Sequence, residues 1–446
     1  MQLKNVIDSP CGLRYMLDQL EVHSGYARRW LLERDMMTDA KSIQEAYTTL
    51  RRFATMLEHI HQARLNTLRF KLQALKDIRT TIANLKRGAT LDDIELFEVK
   101  HLAILSTDVA RIIAEQGMHD VIEIPDLEPV ITILDPDGMK IATFYVYDAY
   151  CDQLRDLRAH MRQHPDEQDD LLMQANELEE GVRRDLSRQL HPWAQAIEQA
   201  QVAVARIDVC LAQAQQVRQM DLCLPTIATA QCSAYHAMFH PQVSAALATQ
   251  RRQFQPVDIS FGTNPTLITG ANMGGKTVVL KTLALCQYLF QFGFGIPAAQ
   301  AQIAVVDEVY FCIGDEQSVE RGLSSFAAEM KSIDRVIRAS RTQQRILALI
   351  DEPARTTNPT EGTALVTALL TLMQQRPVSL VMTTHYDIEP GSAQCLRVRG
   401  FDNGAMDYRL VQVHDGDVPH EALRIAQTLD IDPEWLDLAR HHLAHH

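Results

Sequence analysis

The fold of this chain is decided by residues 267–281, which read Leu-Ile-Thr-Gly-Ala-Asn-Met-Gly-Gly-Lys-Thr-Val-Val-Leu-Lys. An apolar run comes first, a glycine-rich loop follows it, and the loop leads into a pattern with apolar residues on one helical face. The spacing Gly270-x4-Gly275-Lys276-Thr277 is that of a phosphate-binding loop, in the strand-to-helix context which that motif requires. The predicted nucleotide site also includes the intervening residues Ala271, Asn272, Met273 and Gly274.

Each residue type in this loop suits a nucleoside triphosphate. Glycines let the backbone amides approach the phosphates, and the N-terminus of the following helix adds a positive dipole. Lys276 is expected to reach the β- and γ-phosphates, and Thr277 is expected to offer its hydroxyl to Mg²⁺. ATP and Mg²⁺ are therefore the predicted ligands. The alternative is a chance glycine turn before an amphipathic helix.

Two further apolar runs end in polar residues that fit the same site. The run at 346–350 ends in Asp351 and Glu352. Asp351 is expected to hold Mg²⁺ through its water shell, and Glu352 is expected to polarise the attacking water as the general base. Another run ends shortly before His385, which is expected to sense the γ-phosphate. The alternatives are that the acids only cap the next segment and that the histidine is structural.

The composition is typical of a globular protein of two or three domains. The chain has 446 residues, of which 46% are hydrophobic and 22% charged, and its net charge is −14. Its eight cysteines form no Cys-x2-Cys pair, so neither a zinc ribbon nor a redox motif is predicted. No secretory signal opens the chain, and polar residues interrupt its most apolar stretch. A cytoplasmic protein without a membrane span is expected.

Positive charge is concentrated in one window, although the chain as a whole is acidic. Residues Arg51–Arg87 include nine basic side chains and two acidic ones. A helix through this window would be strongly positive, and phosphate contacts need only a local positive face. The window is therefore either a surface for double-stranded or branched DNA or a solvated helix face.

The pattern along the chain predicts two regions. Residues 1–224 are expected to form an all-α core or lever region, and residues 225–446 an α/β ATPase domain with a parallel sheet and a helical C-terminal end. A small β insert is predicted at about 121–147, with strands at 121–125, 129–134 and 141–146 around a turn at 135–138. Strands of the ATPase domain are predicted at 266–269, 303–306, 346–350 and 379–383.

Several motifs, taken together, resemble the MutS family of DNA mismatch-repair ATPases. Residues 270–277 are very similar to the phosphate loop of that family, and 313–318 with 322–330 resemble its signature segment. Residues 351–352 with 357–362 resemble its acidic pair and the loop that follows, and 384–386 resemble its histidine switch. These matches cover roughly residues 235–390. The residues in these motifs are similar to those of the second bacterial branch of the family, whose members normally carry a C-terminal Smr nuclease domain.

Weaker similarity extends in both directions along the chain. Residues 124–127, 137–138 and 154–158 resemble the core region of the second branch, and residues 420–426 and 432–433 resemble the helical end of its ATPase domain. Nearly the whole chain is then covered by the resemblance.

The resemblance implies an ABC-type ATPase domain that works as a homodimer, with two ATP molecules held between two such domains. Ser324 and Ser325, at a predicted helix start, would be offered to the γ-phosphate of the partner. Phe254 matches an aromatic residue that stacks on adenine in relatives, and an ordinary core position fits it equally. Asn272 matches an asparagine near the base.

Departures from the family leave two functional classes open. The Phe-x-Glu motif of the mismatch-reading domain occurs at none of the thirteen phenylalanines. A large DNA clamp and the Smr domain are also expected to be absent, since the intervening segment is short and the chain ends at His446. One hypothesis is an ATPase that binds mismatched or branched DNA in a role like mismatch repair. The other is an ATPase that remodels a protein partner, since the chain also resembles the ATPase subunit encoded with B12-dependent lysine aminomutases.

Overall fold

The computed structural model describes residues 1–141, 143–163, 168–270, 275–313, 325–342, 344–402 and 405–413, together with Trp435 and Leu438. These residues form two compact units. The first unit comprises Met1–Leu20, Asp35–Thr48 and Gln216–His446, and the second comprises Glu21–Arg34 and Thr49–Gln215. The domain boundary that the sequence analysis places between residues 224 and 225 stays a prediction. Within the described residues, no helix has both the length and the apolar character needed to cross a membrane.

Helices dominate the first half of the chain, as predicted. The α-helices are α1 (Leu13–Asp18), α2 (Gly25–Glu33), α3 (Ala40–His59), α4 (Gln62–Gln73), α5 (Arg79–Lys86), α6 (Asp93–Glu115), α7 (Glu128–Leu134), α8 (Asp152–Gln163), α9 (Gln168–Leu190), α10 (Ala194–Gln219), α11 (Pro241–Thr249), α12 (Lys276–Gln291), α13 (Ser325–Ala339) and α14 (Pro359–Met373). Short 3-10 helices occur at Leu3–Asn5, Asp148–Tyr150 and His191–Trp193.

The second unit is helical, and its core includes α6. This helix begins with a capping box, in which Asp92 accepts from the backbone of Glu95 and Glu95 accepts from the backbone of Asp92. Lys100 on α6 is fully buried and donates to Asp135 Oδ1 at 3.0 Å and to the hydroxyl of Tyr147 at 2.8 Å. These bonds hold the segment that follows α7 against α6, and they satisfy a charge that would otherwise be costly to bury.

The predicted β insert is wrong in the second unit. Residues 129–134 lie in α7, because Pro129 suits the first turn of a helix and Val130, Ile131 and Leu134 form one buried face at helical spacing. No strand is present among the described residues of 121–125 and 141–146. The turn is confirmed, since Gly138 N donates to Asp135 O at 2.9 Å.

The first unit contains two sheets. The strands are β1 (Thr226–Ile227), β2 (Ser233–Met238), β3 (Val257–Phe261), β4 (Thr266–Thr269), β5 (Gln300–Ile303), β6 (Glu308–Cys312), β7 (Ile346–Ile350), β8 (Val378–Thr383), β9 (Gln394–Asp402) and β10 (Ala405–Gln412). The smaller sheet has the order β1-β5-β2-β3, and the larger has the order β10-β9-β4-β8-β7-β6.

The larger sheet is parallel from β9 to β6, and only β10 runs antiparallel to its neighbour. All residues of β7 and β8 are buried, as expected for strands that are covered on both faces. Apolar residues of α13 and α14 form a core with these strands. Because β4, β8 and β7 are parallel neighbours, their carboxyl ends lie at one edge of the sheet.

One predicted strand of the ATPase region is displaced. The strand expected at 303–306 is β5, which ends at Ile303. The backbone beyond it is satisfied by buried side chains. Gln287 donates to Ala304 O at 3.1 Å, Gln291 donates to Val306 O at 2.7 Å, and Ser233 Oγ accepts from Ala304 N at 3.0 Å. Tertiary hydrogen bonds thus replace a strand ladder in this apolar segment.

Candidate active site

The candidate site lies where β4, β7 and β8 end. β4 leads through Gly270 to the start of α12 at Lys276, β7 leads to Asp351 and Glu352, and β8 ends at Thr383. These three ends come from parts of the chain that are about eighty and thirty residues apart, and the parallel pairing of the strands brings them together. The site that the sequence predicts from separate motifs is therefore assembled at one edge of the sheet.

Two glycines in the phosphate-binding loop have left-handed backbone angles. Gly270 has φ +122° and Gly275 has φ +73°, which are strained for residues with a Cβ atom. A Cβ at Gly275 would also lie only 3.3 Å from the ring of Tyr408. Gly275 is the N-cap of α12 and places Lys276 and Thr277 in its first turn. Ala271, Asn272, Met273 and Gly274 lie outside the described residues.

Asp351 accepts hydrogen bonds from two threonine hydroxyls. Thr277 Oγ1 donates to Asp351 Oδ2 at 2.7 Å, and Thr383 Oγ1 donates to Asp351 Oδ1 at 2.6 Å. A threonine hydroxyl and a carboxylate oxygen within hydrogen-bond distance are the hard oxygen donors that Mg²⁺ takes beside substrate phosphates. The donor set therefore fits Mg²⁺, with Thr277 and Asp351 as the protein groups that would hold it directly or through water.

Glu352 is held close to the phosphate-loop lysine. Lys276 Nζ lies 3.2 Å from Glu352 Oε1 and also donates to the carbonyl of Gly270. The lysine side chain is 2% exposed and that of Glu352 is 11% exposed, so this pair is shielded from water. Arg355, which is mostly exposed, lies 3.6 Å from Glu352 Oε2. The general-base candidate thus lies beside the lysine of the phosphate-loop motif, and both side chains are largely buried.

The backbone is strained directly after β7. Glu352 has φ +41° and Ala354 has φ +61°, and neither is a glycine. Such angles cost of the order of 1–3 kcal/mol each and persist only where surrounding contacts hold them. Glu352 N donates to Thr383 Oγ1 at 2.8 Å, which provides one such contact. Strain at the general-base candidate is consistent with a functional position.

Sequence reasoning missed two residues that contact this strained segment. Glu329 Oε1, on α13, accepts from Ala354 N at 2.8 Å, and the hydroxyl of Tyr386 donates to Ala354 O at 2.7 Å. Burial raises the pKa of Glu329 and also that of Tyr386. Both residues lie inside segments that the family resemblance quotes, but nothing in their spacing showed that both bind the backbone of Ala354.

His385 follows β8 and is exposed. Its ring lies against that of Tyr386, with 4.2 Å between the ring centroids. The preceding residue is fixed to the phosphate-loop strand, since Thr384 N donates to Ile268 O at 3.2 Å. The histidine therefore lies at the same sheet edge as the rest of the site, and its role toward the γ-phosphate stays a prediction.

The residues predicted to contact the base and the partner's phosphate are only partly described. Phe254 is half-buried, and its neighbour Gln255 accepts from Tyr408 N and donates to Asp407 Oδ1, each at 2.9 Å. The hydrogen bond from Arg409 holds the pKa of Asp407 well below its usual range. Ser324 lies outside the described residues, as do residues 314–323 and 420–433. Ser325 is placed as the first residue of α13.

Carboxylates form ion pairs with part of the basic window Arg51–Arg87 in the second unit. Five of its side chains form ion pairs: Arg52 with Asp120 at 3.1 Å, Arg64 with Glu115 at 3.2 Å, Lys71 with Asp108 at 2.7 Å, Arg79 with Asp77 at 3.0 Å and Lys86 with Glu198 at 2.5 Å. Four of these acids lie outside residues 51–87. Ion pairs therefore offset part of the local excess of positive charge that the sequence shows.

Comparisons with known proteins show which families part of this chain is similar to. Residues 266–402 match the family model described as MutS domain V. The chain is 34% identical over 208 residues to Endonuclease MutS2 of Lactococcus lactis, which is 46% of this chain and 26% of the relative. The Listeria monocytogenes protein of the same name is 36% identical over 219 residues, or 48% of this chain and 27% of the relative.

A longer alignment reaches Endonuclease MutS2 of Caldicellulosiruptor saccharolyticus, with 30% identity over 286 residues, or 61% of this chain and 35% of the relative. The chain thus spans about a quarter to a third of the length of these curated relatives. The matched region includes Lys276 and Thr277 at the start of α12 and Asp351 and Glu352 after β7. Residues 266–402 of this chain are therefore similar to MutS domain V, and the longer alignments extend the similarity to MutS-family proteins over part of the chain.

Proposed function

We propose that this protein is a Mg²⁺-dependent ATPase of the MutS type that works as a dimer, with ATP held between two ATPase domains. The observation that carries the proposal is the bond between Thr277 Oγ1 and Asp351 Oδ2, with the pair of Lys276 and Glu352 beside it. A magnesium-binding hydroxyl, an acidic strand end, a phosphate-binding cation and a general base are the groups that phosphoryl transfer to water requires.

Each side chain has a distinct task in the proposed reaction. Lys276 binds the β- and γ-phosphates, and Thr277 and Asp351 hold Mg²⁺, which neutralises the charge that develops on the phosphate oxygens. Glu352 accepts the proton of the attacking water at its carboxylate. Phosphate oxygens compete with Glu352 for Lys276, so binding of ATP weakens the 3.2 Å pair and frees Oε1 to accept that proton. His385 senses the γ-phosphate from the end of β8.

Two substitutions test the ATPase directly. Lys276→Ala is expected to abolish ATP binding or hydrolysis, whereas Glu352→Gln is expected to bind ATP and lower kcat by about a hundredfold or more, which traps the dimer. The matched control is Glu389→Gln, because Glu389 is an exposed glutamate of the same unit. Steady-state phosphate release and nucleotide-dependent dimerisation are measured together. Hydrolysis by Glu352→Gln at the wild-type rate would rule out its role as general base.

The partner that we propose for this ATPase is mismatched or branched double-stranded DNA, bound through the Arg51–Arg87 window. The resemblance to mismatch-repair ATPases and the endonuclease name of the curated relatives support this assignment. Binding to plain, mismatched and branched duplexes is measured over a salt series. A phosphate-binding surface loses affinity log-linearly with salt. Absence of binding even at low salt would contradict a DNA partner.

A second candidate function is remodelling of a protein partner, such as a B12-dependent aminomutase. The ion pairs of the basic window favour it, because side chains held by Asp108, Glu115 and Asp120 must lose those partners before they bind phosphates. The same salt series separates the two candidates. A protein that hydrolyses ATP and binds none of the duplexes has the properties expected of a remodelling ATPase.

A further inference from the structure

Two side chains from separate elements bind the backbone of one residue, Ala354, beside the general-base candidate. Glu329 Oε1 accepts from Ala354 N at 2.8 Å, and the hydroxyl of Tyr386 donates to Ala354 O at 2.7 Å. Glu329 lies on α13, and Tyr386 follows β8. Side chains thus bind both the amide and the carbonyl of Ala354, and the carbonyl also accepts from Thr357 N at 3.2 Å.

Hydrogen bonds hold the backbone at Glu352 itself and again two residues later, at Ala354. The Glu352 N–H donates to Thr383 Oγ1 at 2.8 Å, and the next anchored amide is that of Ala354. Pro353 stands between them and its ring fixes its own φ. Few soft torsions remain between the two anchors, so the direction of the Glu352 carboxylate depends on both. Loss of the Ala354 anchor would let the left-handed angles at Glu352 and Ala354 relax.

A glycine on α14, Gly362, leaves space for the side chain of Tyr386. A Cβ at Gly362, on α14, would lie 2.2 Å from the hydroxyl oxygen of Tyr386. Glycine inside a helix is less stable than alanine, so its presence here carries a cost that packing of Tyr386 explains. The position of the tyrosine hydroxyl therefore depends on three elements: the segment after β7, the segment after β8, and α14.

We infer that Glu329 and Tyr386 are positioning residues that hold the backbone amide and carbonyl of Ala354 and thereby orient the Glu352 carboxylate for hydrolysis. The inference rests on the proposed ATPase function and deepens it, because it links α13 and the segment after β8 to the general base. Neither side chain touches the reacting atoms in this role. Displacement of α13 would change the orientation of Glu352 through a single hydrogen bond.

The test compares variants that remove or keep one bond. Glu329→Ala is expected to lower kcat roughly ten- to a hundredfold with little change in the KM for ATP, because a displacement of about 1 Å is enough for such a loss. Glu329→Gln keeps an accepting oxygen and should retain most of the activity. Tyr386→Phe and Gly362→Ala should lower kcat in the same way. The control on the same helix is Arg338→Ala, since Arg338 is exposed and pairs only with α13's own Asp334 among the ion pairs described.

A double variant distinguishes positioning from general damage to the fold. In the Glu352→Gln background, Glu329→Ala should cause no further loss, because residues that act through one group are strongly non-additive. An equal loss in both backgrounds, or a wild-type kcat for Glu329→Ala, overturns the inference. If Glu329→Ala does not fold, Tyr386→Phe decides by the same criterion. A wild-type protein without ATPase activity overturns the proposed function as well, whereas activity that depends on Glu352 and not on Glu329 overturns this inference alone.

Discussion

The candidate active site and the basic window Arg51–Arg87 differ in how well the sequence predicted the surroundings of their charged side chains. In the candidate active site, Thr277 lies within hydrogen-bond distance of Asp351 and Lys276 lies within ion-pair distance of Glu352, although the partners of each pair are far apart in the chain. In the window Arg51–Arg87, five basic side chains are each matched by a carboxylate, mostly from outside the window. A motif at a strand end thus predicts where a side chain lies, whereas a charge count over a window does not predict a surface.

Removal of a charge from the active site should affect catalysis far more than stability. Asp351→Asn is expected to cost several kcal/mol of transition-state stabilisation, since it weakens the Mg²⁺ site. Unfolding temperature should stay the same or rise, because catalytic groups are often held at the expense of stability. The control is Asp221→Asn, because Asp221 is exposed and asparagine also tolerates its φ of +53°. A normal rate at saturating Mg²⁺ would show that Asp351 is not the metal-holding acid.

Removal of a buried charge from the second unit should have the reverse effect. Lys100→Met leaves Asp135 buried without its partner, which is expected to destabilise the second unit by about 3–5 kcal/mol. The double variant Lys100→Met with Asp135→Asn should recover part of the loss, because the uncompensated charge is gone and an oxygen remains for Lys140 N. Urea unfolding followed by circular dichroism measures both. Equal stability of Lys100→Met and wild type would mean that the ion pair contributes nothing.

His240 is buried and takes part in none of the ion pairs described, so its titration shows the effect of burial alone on stability. Burial lowers the pKa of His240 from its ordinary 6.5 to about 4. Below pH 6.5 the unfolded chain therefore binds a proton that the folded chain does not, and the free energy of unfolding falls by about 1.4 kcal/mol per pH unit down to about pH 4. His240→Gln should remove this contribution from the pH profile of urea unfolding.

The exposed pairs of the basic window should show the smallest effect. Arg52→Ala and Arg64→Ala are each expected to change the free energy of unfolding by about 1 kcal/mol or less, because water screens these partners. If the window binds DNA, each substitution should also lower the salt slope of binding by about one. Chemical unfolding and a salt series on one duplex give both values. An unchanged slope for both variants would place DNA contacts elsewhere or favour a protein partner.

Prediction from sequence succeeded where several signals agreed. The strand at 266–269, the strand at 346–350 and the helix from Lys276 were expected from apolar runs beside glycines and acids, and the structure confirms them. Prediction failed at 129–134, where β-branched residues suggested a strand, although Pro129 and the spacing of the buried residues favour α7. It failed again at 304–306, because buried glutamines of α12 bind that backbone. Local patterns contain no information about partners that far along the chain.

The sequence by itself determined the order and spacing of the phosphate-loop motif and the paired acids, from which a nucleotide-binding site is predicted, because this combination of residues has few other uses. Only the tertiary structure decided three other features: the contact between Lys276 and Glu352, the meeting of Glu329 and Tyr386 at Ala354, and the pairing of the basic window. Each depends on side chains that are far apart in the chain. Their distances are set by the parallel pairing of strands and the packing of helices, which no local spacing specifies.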